Sequence, residues 1–329
     1  MKDRLTRWIA VMGYYCGLDR LFYWINRRCK RVLTFHNVFP DELCRKDDGG
    51  GMSLSASDFR RVIGEIGRIY RFSNDLNDPK TATITFDDGF LNQYEVAAHI
   101  LEELKLSAVL FIAGKNINRT NPMDAPAVDL LTVWLAEVPK KILGDESRIR
   151  YWVDELRPAY VRDAANYGRT VVEACNARYS FEKVFEKLGR GYTRLRLGGI
   201  SSAQLEDLRR RGWRIGWHSY NHFALSAIPP TDKMREFDAP DEIKREPMSY
   251  PYGEPKSVSD EDVHGAEAAG FPAAYSNLPE VNPMLGRYFL PRFSVPTDKV
   301  MLHFHLSGFR HFLKYRALLP DVYGGNGAQ

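Results

Sequence analysis

Two adjacent carboxylates close a run of β-forming residues at Ala82-Thr83-Ile84-Thr85-Phe86-Asp87-Asp88-Gly89. The alternation of β-branched and aromatic side chains reads as a buried strand, and the acids and the glycine fall where that strand should stop. Taken alone the triplet is also an ordinary turn, since Asp favours turns and N-caps. A second strand end, Trp217-His218-Ser219-Tyr220-Asn221-His222, carries two histidines four residues apart. Two imidazoles and one carboxylate can meet on a single divalent metal and leave a coordination position open. A lone pair of histidines at this spacing is more often structural, so each motif gains its weight from the other. His36 ends a third run, Arg31 to Phe35, in the same manner, with Val32, Thr34 and His36 on one face. Arg292, in Leu290-Pro291-Arg292, offers a guanidinium that either holds a carboxylate in bidentate geometry or forms only a surface ion pair.

The elements that must position these groups follow a regular rhythm. After the strand at 31–35 comes a polar, Asp- and Gly-rich loop over 40–53, with Ser55 or Ser57 as the expected N-cap of the next helix. In that helix Phe59, Val62, Ile63, Ile66 and Ile69 form one apolar stripe. The strand carrying Asp87 and Asp88 is next, then a helix striped by Tyr94, Ala97, Ala98, Leu101 and Leu104, then a strand at 107–113. Strand and helix in alternation predict a parallel α/β structure. From about 115 to 197 the rhythm lapses into charged, helical sequence with segments at 130–138, 149–156 and 181–188, too long for a simple crossover and read as an insertion able to roof the site. A capped helix at 201–211 and strands at 213–217, 248–251, 271–276 and 288–294 resume the pattern and bring the expected strands to seven.

Composition sets the outer limits. With 329 residues, 44% hydrophobic and 27% charged, the chain can bury an ample core, and disorder is not expected. Residues 1–31 hold eight basic side chains against Asp3 and Asp19, a net of +6 beside +4 for the whole chain, which leaves the rest at −2. Because the excess is confined to one end and no basic, aromatic-interleaved patch follows it, nucleic acid is not an expected partner. Within residues 1–30, Leu5, Trp8, Ile9, Met12 and Cys16 recur at helical spacing. Two readings stand: a helix packed on the domain, or an interfacial helix on an anionic membrane surface. The apolar run from Trp8 to Leu18 is followed by no small-residue cleavage site and is too short to span a bilayer, so neither a signal peptide nor a transmembrane segment is expected. Cys16, Cys29, Cys44 and Cys175 fit no disulfide or metal spacing, in keeping with a reducing, cytoplasmic location, to which the interfacial reading of residues 1–30 would add peripheral contact at the inner membrane face.

Thr85-Phe86-Asp87-Asp88-Gly89 with His218 and His222 resembles the signature of the polysaccharide deacetylases, the NodB-like carbohydrate esterases of family 4. Arg31 to Val38 resembles the family's opening strand, Ser249-Tyr250-Pro251-Tyr252-Gly253 its third motif, and Leu290 to Val295 a late strand in one branch. The resemblance covers roughly 31–310 and is weakest between 115 and 195. It implies a distorted (β/α)7 barrel, here with the helical insertion, as a catalytic domain over 31–318 between the N-terminal helix and a tail at 319–329. It also implies removal of N-acetyl groups from amino sugars of a polysaccharide or its lipid-linked precursor. An amidase of the same fold on a non-sugar amide and a silent carbohydrate-binding domain are the competing readings.

By the same resemblance Asp87 is the general base, and Asp88, His218 and His222 hold one divalent ion, zinc by ligand type, with cobalt, nickel or manganese also suited to the mixed set. The backbone N–H of Tyr252 is the expected oxyanion donor. Where the family has an arginine to orient the base, this chain has Ser249, and Arg292 is the expected substitute. The general acid is expected at His36. Many relatives instead use a Leu-x-His motif near the C-terminus, but Val300 to Gly308 reads as a helix that sends His303 and His305 to different faces.

Overall fold

The structure is a computed structural model, described here for residues 2–45, 53–76, 78, 80–139, 142, 164–278 and 286–315. It begins with two helices, α1 (Lys2–Tyr15) and α2 (Leu18–Ile25), where the sequence predicts one. Gly17, at a φ of 75°, breaks the helical run in a left-handed conformation that glycine tolerates best. The frame that follows is a parallel sheet built from β1 (Arg31–Phe35), β5 (Thr81–Asp88), β6 (Val109–Ile112), β7 (Arg214–Trp217), β8 (Met248–Ser249), β9 (Ala274–Tyr275) and β10 (Phe293–Ser294). The strands lie in the order β10-β1-β5-β6-β7-β8-β9, and Leu290, just ahead of β10, bridges back to Tyr275 of β9, so the sheet curls on itself. This is a distorted parallel barrel of the expected class, and all seven expected strands are in it. Pairing at 248–251, 271–276 and 288–294 is regular over only two residues each. The sequence reading did not anticipate β2 (Asn37–Phe39) and β3 (Ser53–Ser55), which pair with each other, or β4 (Arg71–Phe72), which joins the first residues of β5.

Strand alternation sorts the side chains. Leu33, Phe35, Ala82, Ile84, Phe86, Leu110 and Ile112 enter the large outer core under the helices, whereas Val32, Val109 and Phe111 meet Tyr275 in a separate interior cluster. Thr34, Thr83, Thr85 and Asp87 occupy the alternate positions on β1 and β5 and are buried too. The outer layer includes α3 (Ala56–Gly67), whose Phe59, Val62, Ile63 and Ile66 are buried and whose Ser55 caps the Asp58 N–H. Gln93–Ala98 forms a π-helical turn that runs into α4 (His99–Glu103).

The segment between β6 and β7 packs as its own cluster. Here α5 (Ala127–Glu137), α6 (Ala164–Arg178), α7 (Phe181–Leu188) and α8 (Arg190–Leu197) share a core around Trp134, Phe181 and Tyr192. The expected helix at 149–156 and the tail at 319–329 lie outside the described residues. The chain returns through α9 (Ser202–Arg210), which opens on a capping box between Ser201 and Gln204. The remaining helices are α10 (Pro230–Glu236), α11 (Asp241–Lys244), α12 (Asp260–Ala268), α13 (Lys299–Leu306) and α14 (Phe309–Tyr315).

Candidate active site

The C-terminal ends of β1, β5 and β7 bring the sequence-derived residues together. Asp87 keeps the inward direction of Thr83 and Thr85. Asp88 would be turned outward by simple alternation, but its φ of 82° and that of Gly89, 83°, bend the chain, and the carboxylate reaches His218 and His222. A Cβ on Gly89 would come within 2.6 Å of Ile112, so the bend also needs the missing side chain. Positive φ values recur at Ser219 (61°), His222 (60°) and Tyr252 (62°). Left-handed non-glycine residues cost free energy and concentrate at functional sites, and four of the seven such residues described here line this one.

The loop that carries the two histidines is pinned from outside the motif. Glu236, buried at the end of α10, accepts hydrogen bonds from the backbone N–H of Tyr220 (3.1 Å) and Asn221 (2.8 Å) and from the Asn221 side chain (2.7 Å). Its carbonyl accepts from Trp217 Nε1 at 2.7 Å. Ser219 Oγ receives the His222 N–H at 3.0 Å. His218 Nδ1 faces the Ser249 carbonyl at 2.8 Å, which assigns the proton to Nδ1 and leaves the Nε2 lone pair for a ligand.

The donor set fits a divalent cation. The ligand atoms of Asp88, His218 and His222 lie within 4.8 Å of one another. Asp88 Oδ1 is buried, accepts no well-aligned hydrogen bond, and sits 2.9 Å from His222 Nε2 and 3.5 Å from His218 Nε2. Burial lowers the His218 pKa to about 4, so that ring is neutral. Burial acts the same way on His222, but the Asp88 charge outweighs it and raises the pKa. Asp129 on α5 adds to that effect, which brings the helical cluster electrostatically to the site. Asp88 itself is held well below the carboxylate range: His222 and its neighbours overcome the opposing effect of burial.

Arg292 meets Asp87 through two parallel hydrogen bonds, Nη1 to Oδ1 at 2.7 Å and Nη2 to Oδ2 at 2.8 Å. Its other N–H groups go to Thr85 Oγ1 (3.2 Å), Ser249 Oγ (2.6 Å) and the Ser276 carbonyl (3.0 Å), and its guanidinium lies over the Phe111 ring. Ser249, small where the related motif has arginine, thus hydrogen-bonds a guanidinium that arrives from another strand. Burial alone would raise the Asp87 pKa, yet Arg292 first and His218 second hold it below the usual range.

His36 is buried at the end of β1, and it is among the groups that lower the pKa of both Asp87 and Asp88. Gln93 Nε2 fixes this corner by donating to the carbonyls of His36, at 2.8 Å, and of Asp87. Tyr252 sets its ring 5.1 Å from that of His222. Gly253, at a φ of 59°, stands where a Cβ would strike the Asn277 backbone at 2.3 Å, which holds the turn after Pro251 tight. His303 and His305 keep other company. His303 lies 3.8 Å from Asp19 and 3.7 Å from Glu65, and His305 is packed against Phe293 and Phe304.

Sequence reasoning did not find Glu236, Gln93 or Asn116, whose Nδ2 donates to the Asp88 carbonyl at 2.8 Å. Each acts on backbone or on another side chain, and none belongs to a motif.

A parallel barrel whose strand ends carry a buried carboxylate–imidazole cluster is a scaffold suited to metal-assisted hydrolysis. The chain belongs to the polysaccharide deacetylase family, whose sequence model matches residues 75–273, more than half its length. That stretch includes Asp87, Asp88, His218, His222 and Tyr252 and excludes His36 and Arg292. Among solved structures, the Streptococcus pyogenes deacetylase PplD in complex with acetate is similar at 13% identity, over 88% of this chain and 98% of that one, with a TM-score of 0.50. IcaB from Ammonifex degensii is similar at 14% identity, over 86% and 97%, with a TM-score of 0.47. The deacetylase domain of BpsB from Bordetella bronchiseptica is similar at 14% identity, over 81% and 95%, with a TM-score of 0.44. At such identities the likeness concerns the fold. No protein with a curated description matches the sequence.

Proposed function

We propose that this protein hydrolyses the N-acetyl group of amino sugars in a polysaccharide or its lipid-linked precursor, releasing acetate and leaving a free amine. The observation that carries the reading is the buried bidentate pair of Arg292 with Asp87, directly beside the Asp88, His218 and His222 cluster. A carboxylate held ionised and aimed by a guanidinium is a base in waiting, and a structural turn has no use for one.

Asp88, His218 and His222 would hold the divalent ion, zinc by ligand type with cobalt, nickel or manganese as alternatives, which when bound supplies Lewis acidity toward the acetamide carbonyl and makes water easier to deprotonate. Asp87 takes the proton from the attacking water, and Arg292 keeps it in the required rotamer and charge state. The Tyr252 backbone N–H meets the developing oxyanion from the turn that Pro251 and Gly253 hold. His36, at the end of the strand beside Asp87, gives a proton to the leaving amine. We place the work on the cytoplasmic side of the membrane.

Acetate release from N-acetylglucosamine oligomers, measured with metal content on wild type and Asp87→Asn, tests the reading. The variant should retain the metal and lose about 10² to 10⁴-fold in rate, the usual contribution of a general base. A loss below about tenfold removes Asp87 from that role. Hydrolysis of simple amides without any on the oligomers shifts the substrate to a non-sugar amide. Metal binding with no hydrolysis of either makes the protein a carbohydrate-binding relative.

A further inference from the structure

The two N-terminal helices show their apolar side chains to the outside. On α1, Leu5, Trp8, Met12 and Tyr15 recur at helical spacing along one stripe, with Trp8 62% and Tyr15 79% exposed. The opposite face is committed to the domain: Ala10 is buried against Phe304 and Phe309, and a Cβ on Gly13 would lie 2.4 Å from the Phe309 ring. On α2, Phe22 packs inward against Phe309 and Phe312, while Leu21 and Trp24 point away, Trp24 at 64% exposure. Both helices rest on α13, so their outer faces look away from the same support.

The charge around that face has one sign. Arg4, Arg20, Arg27 and Arg28 are exposed, and the guanidinium of Arg27 lies 4.7 Å over the Trp24 ring. Asp19, the single acid among residues 4–28, is buried beside His303. An apolar stripe rich in Trp and Tyr, bordered by arginines, is the amphipathic form that lies in the headgroup region of a bilayer. Neither helix is long and apolar enough to cross one. A second copy of the chain suits the face poorly, because a two-fold pairing would oppose each arginine border to its like.

We infer that α1 and α2 form a docking surface for an anionic phospholipid bilayer, with the aromatic stripe at headgroup depth and the arginines on lipid phosphates. The docking stands on its own residues and does not depend on the deacetylase reading. Arg7 of α1 pairs with Asp298, the N-cap of α13, which ties this surface to the helix that follows β10.

The test is co-sedimentation of the full chain with phosphatidylcholine vesicles and with phosphatidylcholine–phosphatidylglycerol vesicles at low and high salt. Binding should require the anionic lipid and weaken with salt. One exposed arginine near such a surface strengthens binding by about fivefold, so Arg4→Glu, Arg20→Glu and Arg28→Glu together should weaken it by about a hundredfold or more. Trp8→Ser with Trp24→Ser should also abolish it while shifting thermal unfolding little, since both rings are mostly exposed. Equal binding to neutral and anionic vesicles, no binding at low salt, or unchanged binding by either variant overturns the inference. So does a dimer in sedimentation velocity that Trp8→Ser with Trp24→Ser dissolves, because the face would then belong to a second copy.

Discussion

All five N–H groups of Arg292 are committed, two of them to Asp87, and both side chains are almost fully buried. Removing one partner of such a pair leaves an uncompensated charge out of water, at a cost of about 3–5 kcal/mol, whereas removing both can be nearly neutral. Arg292→Met should therefore lower unfolding free energy by that amount and abolish hydrolysis. Adding Asp87→Asn should restore much of the stability and none of the activity. Denaturant unfolding of both variants checks this, and a double variant no more stable than Arg292→Met would mean that the lost contacts to Thr85, Ser249 and Ser276 matter more than the charge. The pair was legible in part: the carboxylates, the histidines and the arginine stand in recognisable strings, and Ser249 marks the vacancy by its size. Glu236, Asn116 and Gln93 were not, because a residue that hydrogen-bonds a distant backbone leaves no periodicity and no spacing to read.

Among the elements, the long strands and helices followed their patterns, since a stripe such as Phe59, Val62, Ile63 and Ile66 has one stable way to be buried. The short strands did not show their limits. The strands β8, β9 and β10 are only two residues long, and local sequence does not encode where a ladder stops. The N-terminal segment forms two helices where one was expected, and of the two readings left open for it the structure shows elements of both, with Ala10 and Phe22 on the domain and Trp8, Met12 and Tyr15 outward. The support beneath it, α13, carries a histidine whose titration is predictable. Burial first, and Arg310 second, lower the His305 pKa to about 4, and Arg7 and Asp298 face the same recess. A group whose folded pKa lies below its unfolded value of about 6.5 gives stability that is present above that value and is lost as pH falls toward 4. The loss should be on the order of 2–3 kcal/mol between pH 7 and pH 4. His305→Leu should flatten this part of the pH–stability curve, and an unchanged slope would assign the acid sensitivity to other groups.

On the scale of the whole molecule, the strands converge on a point where two carboxylates, two imidazoles and a guanidinium are buried together, an arrangement that opposes folding unless its charges are matched. Without a cation, the Asp88 carboxylate beside His222 raises the pKa of that ring and so favours a proton there, which would do part of that matching. A divalent ion that binds the folded chain and not the unfolded one should then stabilise the protein by mass action, by about 2.7 kcal/mol at a hundredfold excess over its dissociation constant. For a chain of this size that corresponds to a rise in Tm of roughly 5 °C. Chelator-treated protein titrated with zinc should show the rise in a thermal melt, while His218→Ala and His222→Ala, treated alike, should melt at the same temperature with and without zinc. If the variants shift as much as the wild type, zinc is binding elsewhere and the Asp88, His218 and His222 cluster is not its site.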